Sequence, residues 1–148
     1  MSSSRCTQFT ASLMVVIGIL GAPGSAWAGV TPAPAPATVE TLLTRDIADL
    51  PNKEAVMIAV TYLPGGASLP HRHDAQVFVY VLEGALTMQI DGQAPVTLRP
   101  GQTFYEGPQD VHRLSANASP TEPAKILVFL VKDKGKPASR AVAATGTP

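Results

Sequence analysis

Two histidines separated by one residue, His71 and His73, stand just before the alternating run Val77–Leu82 (VFVYVL), and they constrain the chain more than any other feature. In an extended segment residues i and i+2 share a face, so both imidazoles are aimed into one space. The third and last histidine is His112, within Asp110–Asn117 (DVHRLSAN), a second β-type stretch. Imidazole is the commonest metal ligand, and three of them in strand-and-turn stretches that can converge form a candidate metal site. A purely structural pair at His71 and His73 is the alternative; His112 weighs against it.

The ends of the chain read differently from its middle. Arg5, the apolar run Phe9–Leu20 and the small-residue site at Ala26-Trp27-Ala28 have the pattern of a secretory signal peptide over residues 1–28. The apolar run is short for a membrane span, which takes about 20 residues. Cleavage there removes Cys6, the one cysteine, so the expected mature chain has no disulfide and relies on its core, although it would be periplasmic or secreted. It also removes one cation, so the charge balance passes from 11 minus 11 to 10 minus 11. Near-neutrality without a basic run argues against nucleic acid, and after cleavage nothing is left to hold a membrane. Residues 29–38 (GVTPAPAPAT) read as a Pro/Ala linker, 39–132 as one domain, and 133–148 as a flexible tail.

Within 39–132 the first stretch is ambiguous, since Val39, Leu42, Leu43, Ile47 and Leu50 suit either a helical turn or an irregular edge strand ending at Pro51-Asn52. From Glu54 on, short β segments follow one another: 55–63, 77–82, 86–90, 96–98, 103–106, 111–116 and 124–132. Turn signals separate them, including Asp91-Gly92, a two-residue hairpin signal joining 86–90 to 96–98. Many strands without amphipathic helices between them predict an all-β sandwich or barrel. Period two puts Val77, Val79 and Val81 on the pocket wall and turns Phe78, Tyr80 and Leu82 away, toward inter-sheet or subunit packing.

Residues 54–132 resemble a single-domain cupin, a small jelly-roll barrel. Gly65, His71, His73 and Gly84 fall on the first cupin motif, and Gly101 and His112 on the second, with Asn117 one residue later than the pattern. The resemblance implies a metal bound by His71, His73 and His112 and a small-molecule substrate or ligand, and it admits a homodimer, since family members often pair through sheet edges. It also exposes departures. The family's carboxylate position, four residues after His73, is Val77; Gln76 lies one residue out of register and would face the other side unless the strand bulges. Gly107 and Gln109 replace Pro and Gly in the turn before His112, and Glu106 ends the strand leading into that turn.

Three histidines with a glutamate so placed are similar to the three-histidine cupin dioxygenases. That likeness implies a divalent transition metal, iron first, although zinc, manganese, nickel and copper accept the same ligands. It makes Glu106 the candidate catalytic residue, acting on substrate or from behind the ligands, with an ordinary turn carboxylate as the alternative. Two function classes follow. One is a metal-dependent, dioxygenase-like enzyme acting on a small anionic or oxygenated molecule; the other is a non-catalytic metal- or ligand-binding module of the cell envelope.

Overall fold

The computed structural model describes residues 37–142. The expected signal peptide, and the linker up to residue 36, lie outside them, as do the last six residues of the expected tail. Eleven strands make up the fold: β1 (Ala37–Asp46), β2 (Lys53–Tyr62), β3 (Ala67–Ser68), β4 (His71–Arg72), β5 (Ala75–Glu83), β6 (Leu86–Ile90), β7 (Val96–Leu98), β8 (Thr103–Glu106), β9 (Val111–Asn117), β10 (Ala124–Asp133) and β11 (Arg140–Ala141). Among the described residues there is no helix, and so none long and apolar enough to cross a membrane.

The strands form two antiparallel sheets. One has the order β1-β2-β10-β5-β8; in the other, β11-β4-β9-β6-β7 lie side by side and β3 also pairs with β9. The alternation expected from the sequence packs them face to face: Val56, Ile58 and Val60 of β2, Val77, Val79 and Val81 of β5, and Ile126, Val128 and Leu130 of β10 meet Leu86 and Met88 of β6 and Leu98 of β7 in one core. Full burial of such a side chain contributes about 1.5–3 kcal/mol, and this core, with no disulfide, is the main source of stability.

Several local expectations are resolved or corrected. The ambiguous segment is a strand: β1 begins at Ala37, inside the expected linker, and pairs with β2 from Ala37↔Tyr62 to Asp46↔Glu54, with a bulge at Leu42. As an edge strand it leaves Val39, Leu42 and Leu43 exposed. Asp91-Gly92 does make a tight turn, with Gln93 N–H donating to Ile90 O at 3.0 Å and Gly92 at φ +77°. The β6–β7 pairing closes only at Met88↔Val96, however, and residues 91–95 between the two strands form a longer loop than the two-residue signal implies. Past Asp133 the chain returns to the barrel: β11 pairs with β4 through Arg140↔Arg72 and Ala141↔His71, and Val142 N–H donates to Pro70 O at 3.2 Å. The expected tail therefore includes a structured stretch up to Val142.

Candidate metal centre

The three histidines converge. His71 opens β4 and is the register partner of His112 on β9; their ring centroids lie 5.1 Å apart. His73, two residues on, presents its ring edge-on to His71 with centroids 4.9 Å apart. One ring nitrogen from each residue falls within 4.8 Å of the other two. His73 and His112 are buried, and His71 is half-buried.

Hydrogen bonds fix two of the tautomers. His71 Nδ1 lies 2.8 Å from Leu69 O and His73 Nδ1 lies 2.6 Å from Ala138 O. A carbonyl only accepts, so both Nδ1 atoms carry the proton and both Nε2 atoms present a lone pair. Burial holds His71 below its ordinary pKa; the bond to Leu69 opposes this, and His73 and His112 reinforce it. The ring therefore stays neutral, as a metal ligand must be.

Glu106 sits in the same cluster, only 2% exposed. Its Oε1 lies 2.9 Å from His112 Nδ1 and its Oε2 lies 3.8 Å from His73 Nε2. Burial pushes its carboxyl up, but His112, His73 and His71 more than offset that and leave it below the usual carboxylate value. Despite the short approach, neither nitrogen of His112 makes a directed hydrogen bond, and Glu106 Oε2 has no partner. Buried polar atoms are rarely left so, and lone pairs gathered around a carboxylate call for a cation. Three imidazoles and one carboxylate suit a divalent transition metal, and the residues present fit one.

The insertion before Asn117 has a structural reason. β6 pairs Ile90 with His112 and Gln89 with Leu114, so Arg113 is an extra, bulged residue. The bulge restores period two after the added position, and His112, Ser115 and Asn117 are all buried. Asn117 Nδ2 then donates to Leu63 O at 3.1 Å and Glu122 O at 2.7 Å, tying down two turns. Gln76 is exposed and accepts a hydrogen bond from Tyr105 Oη, away from the histidines. No bulge brings it inward, because β5 keeps its register with β10 and β8 around that position.

The cluster opens into a cavity of about 570 Å³. Val60, Val79, Met88, Ile126 and Val128 make its walls largely apolar. Val79 lines it as expected, but Val77 and Val81 do not: both are fully buried in the core beyond it. Phe78, Tyr80 and Leu82 face solvent at 49%, 45% and 39% exposure, so they pack no second sheet. Sequence reasoning missed a hydroxyl group of three on the wall. Tyr62 Oη is 2.7 Å from Ser115 Oγ and 3.1 Å from Ser68 Oγ. It also missed Ala138, whose backbone carbonyl holds His73 and carries no residue-type signal. Among the described residues Glu106 is the only acidic lining residue, and no lysine or arginine lines the cavity.

Two facing antiparallel sheets enclosing an imidazole cluster define a small jelly-roll barrel with a metal-type centre. Residues 58–130 match the family profile of the cupin domain, and the chain belongs to the cupin family with a single such domain. Solved structures agree in fold. A DMSP lyase, DddQ from Ruegeria pomeroyi, is 19% identical with a TM-score of 0.53, covering 63% of this chain and 45% of its own. An oxalate oxidase in complex with the substrate analogue glycolate is 26% identical with a TM-score of 0.57, covering 78% of this chain. The polyketide cyclase RemF from Streptomyces resistomycificus is 22% identical with a TM-score of 0.56, covering 74% of this chain and 72% of its own. The chain spans about half the length of the first two, 45% and 59%. No curated protein matches it.

Proposed function

We propose that the protein is an exported metal-dependent oxidoreductase, dioxygenase-like, acting on a small anionic or oxygenated molecule. His71, His73 and His112 hold the metal, iron first among the divalent transition metals, and Glu106 is the catalytic carboxylate. The observation that carries this reading is the convergence of His71, His73 and His112 to within 4.8 Å in a largely apolar cavity, with carbonyls at Leu69 and Ala138 fixing the Nε2 lone pairs of the first two. A bound divalent metal supplies Lewis-acid polarisation and a place for an anionic oxygen or sulfur.

The chain's own residues do the rest. The valine and isoleucine walls exclude water, and Tyr62, Ser68 and Ser115 offer hydroxyls to a polar substituent. Among the described residues no lysine or arginine lines the wall, so a substrate anion has the metal as its counter-charge. In this reading Glu106 takes a proton from a bound substrate. The 26% likeness to an oxalate oxidase holding glycolate favours a small oxygenated anion.

The test is metal analysis of the protein from its own compartment, followed by oxygen uptake with small diketones, thiols, phenolic acids and hydroxy acids. Metal-dependent uptake with one class is the expected result. A metallated protein that consumes oxygen with none of them, yet binds one, is a binding module of the cell envelope instead. Export is tested by intact mass: the mature chain should begin at Gly29, and a stable product retaining residues 1–28 rules that out.

A further inference from the structure

We propose that Glu106 binds the metal directly, completing a three-nitrogen, one-oxygen ligand set from β8, a strand that carries none of the histidines. The inference rests on the metal reading above and goes further in assigning the fourth ligand.

Register supplies the placement. Glu106 is the cross-strand partner of Val77 in the β5–β8 pairing, which runs unshifted from Val77↔Glu106 to Tyr80↔Thr103. Directly paired residues point to the same side of a sheet, so a carboxylate at 106 enters the barrel beside position 77. Position 77 itself offers only a fully buried valine, and Gln76 points outward.

Geometry supplies the bond. Donors held about 2.1 Å from one ion lie about 3 Å apart at right angles and about 4.2 Å apart when opposite. The Glu106 oxygens lie 2.9 Å from His112 Nδ1 and 3.8 Å from His73 Nε2, within that range. If Glu106 served only to hold the His112 ring, Nδ1 would donate a directed hydrogen bond to Oε1. At 2.9 Å it does not, and Oε2 is left buried with no partner. A carboxylate 2% exposed faces an Nε2 lone pair, and among the described residues no lysine or arginine lines the cavity, so a cation between them is the counter-charge the site calls for. One oxygen on the ion leaves the other able to accept a proton, so this role is compatible with the catalytic one.

The experiment compares full-length wild type, Glu106→Gln and the exchange variant Val77→Glu/Glu106→Val. Zn²⁺ affinity, the visible spectrum of the Co²⁺ form and a crystal structure of the Zn²⁺ form are measured. Loss of a supporting contact typically weakens metal binding 10–100-fold, so loss of a ligand in Glu106→Gln should cost about 100-fold or more. It should also shift the Co²⁺ bands. The exchange variant should recover to within about 10-fold of wild type, because its carboxylate enters the barrel from the directly paired position on the neighbouring strand. In the Zn²⁺ crystals a Glu106 oxygen should sit at bonding distance, about 2.0–2.2 Å.

An unchanged Co²⁺ spectrum in Glu106→Gln, or a Glu106 oxygen more than about 3 Å from the ion, overturns the assignment while leaving the metal site standing. An exchange variant that folds and binds no better than Glu106→Gln also overturns it; if that variant does not fold, the spectrum and the crystal structure decide. Wild type that binds neither ion overturns this assignment and the proposed function together.

Discussion

His71 and His112 are direct register partners across β4 and β9, so two candidate ligands 41 positions apart are held opposite each other by backbone pairing. β4 is only two residues long, and β11 pairs with its other side. The ligand geometry therefore depends on strand pairing on both sides of His71, as well as on the side chains themselves.

Replacing any of the three histidines by alanine should lower metal affinity by more than about 100-fold, beyond what loss of a supporting contact costs. Gln76→Ala, outside the barrel, should change it less than about twofold by the same comparison. Titration calorimetry with Zn²⁺ separates these outcomes. A histidine variant with wild-type affinity removes that residue from the site.

Ending the chain after Pro137 deletes the Ala138 carbonyl and β11 but keeps the Lys136 carbonyl that receives the buried Lys132. The barrel should fold, while His73 loses the bond that fixes its tautomer. Metal affinity should then fall about 10–100-fold, as for other lost supporting contacts. Full affinity in the truncated protein would show that the Ala138 contact is incidental.

Two glycines with similar backbones should respond differently to alanine. Gly65 has φ +66° and open space around a would-be Cβ, so Gly65→Ala should cost about 1–2 kcal/mol from the left-handed backbone alone. At Gly84, φ +71°, the Cβ would lie 2.6 Å from Pro123 O and 2.8 Å from Ala124 Cα, so Gly84→Ala must also shift backbone. Urea denaturation should rank Gly84→Ala clearly below Gly65→Ala, and equal midpoints would contradict the packing at Gly84.

The metal-free protein should lose stability in acid in two stages. His71 has its pKa lowered from 6.5, chiefly by burial, so the unfolded chain binds its proton first as pH falls. Stability is complete above 6.5 and declines as pH drops toward the folded value. Glu106 has its pKa lowered from 4.5 because the imidazoles outweigh the burial that acts in the opposite direction. Its contribution is therefore present above 4.5 and lost as pH falls through the folded value. Thermal melts across pH should be flat above about 7 and fall below 6.5, and His71→Asn should flatten the first decline.

The parts of this molecule written in local period were legible in the sequence. Val77, Val79 and Val81 turn inward and Phe78, Tyr80 and Leu82 outward as alternation requires, and the histidine spacing marked the cluster. Relations that depend on which strands become neighbours were not. Nothing local to Glu106 says that it faces Val77, and a glycine-containing turn says little about where the hairpin beyond it closes. The Arg113 bulge showed only as Asn117 falling one residue late. Whether that places Asn117 inside or outside depends on the pairing with β6.

Ala37 and Val39 of β1, and Ala138, Ser139 and Ala141 at β11, all line the cavity, and these two strands are the outermost members of their sheets. The strands nearest the two ends of the described chain thus form part of the pocket wall, while the histidines and most of the apolar core belong to the stretch of chain between them. Ala37 and Ala138 also pack against the core, but substitutions at the exposed Val39, Ser139 and Ala141 can reshape what the pocket admits without removing a metal ligand or a core contact. Recognition and foldability are in this sense separately adjustable, and a library randomised at Val39, Ser139 and Ala141 should change ligand preference well before it changes the melting temperature.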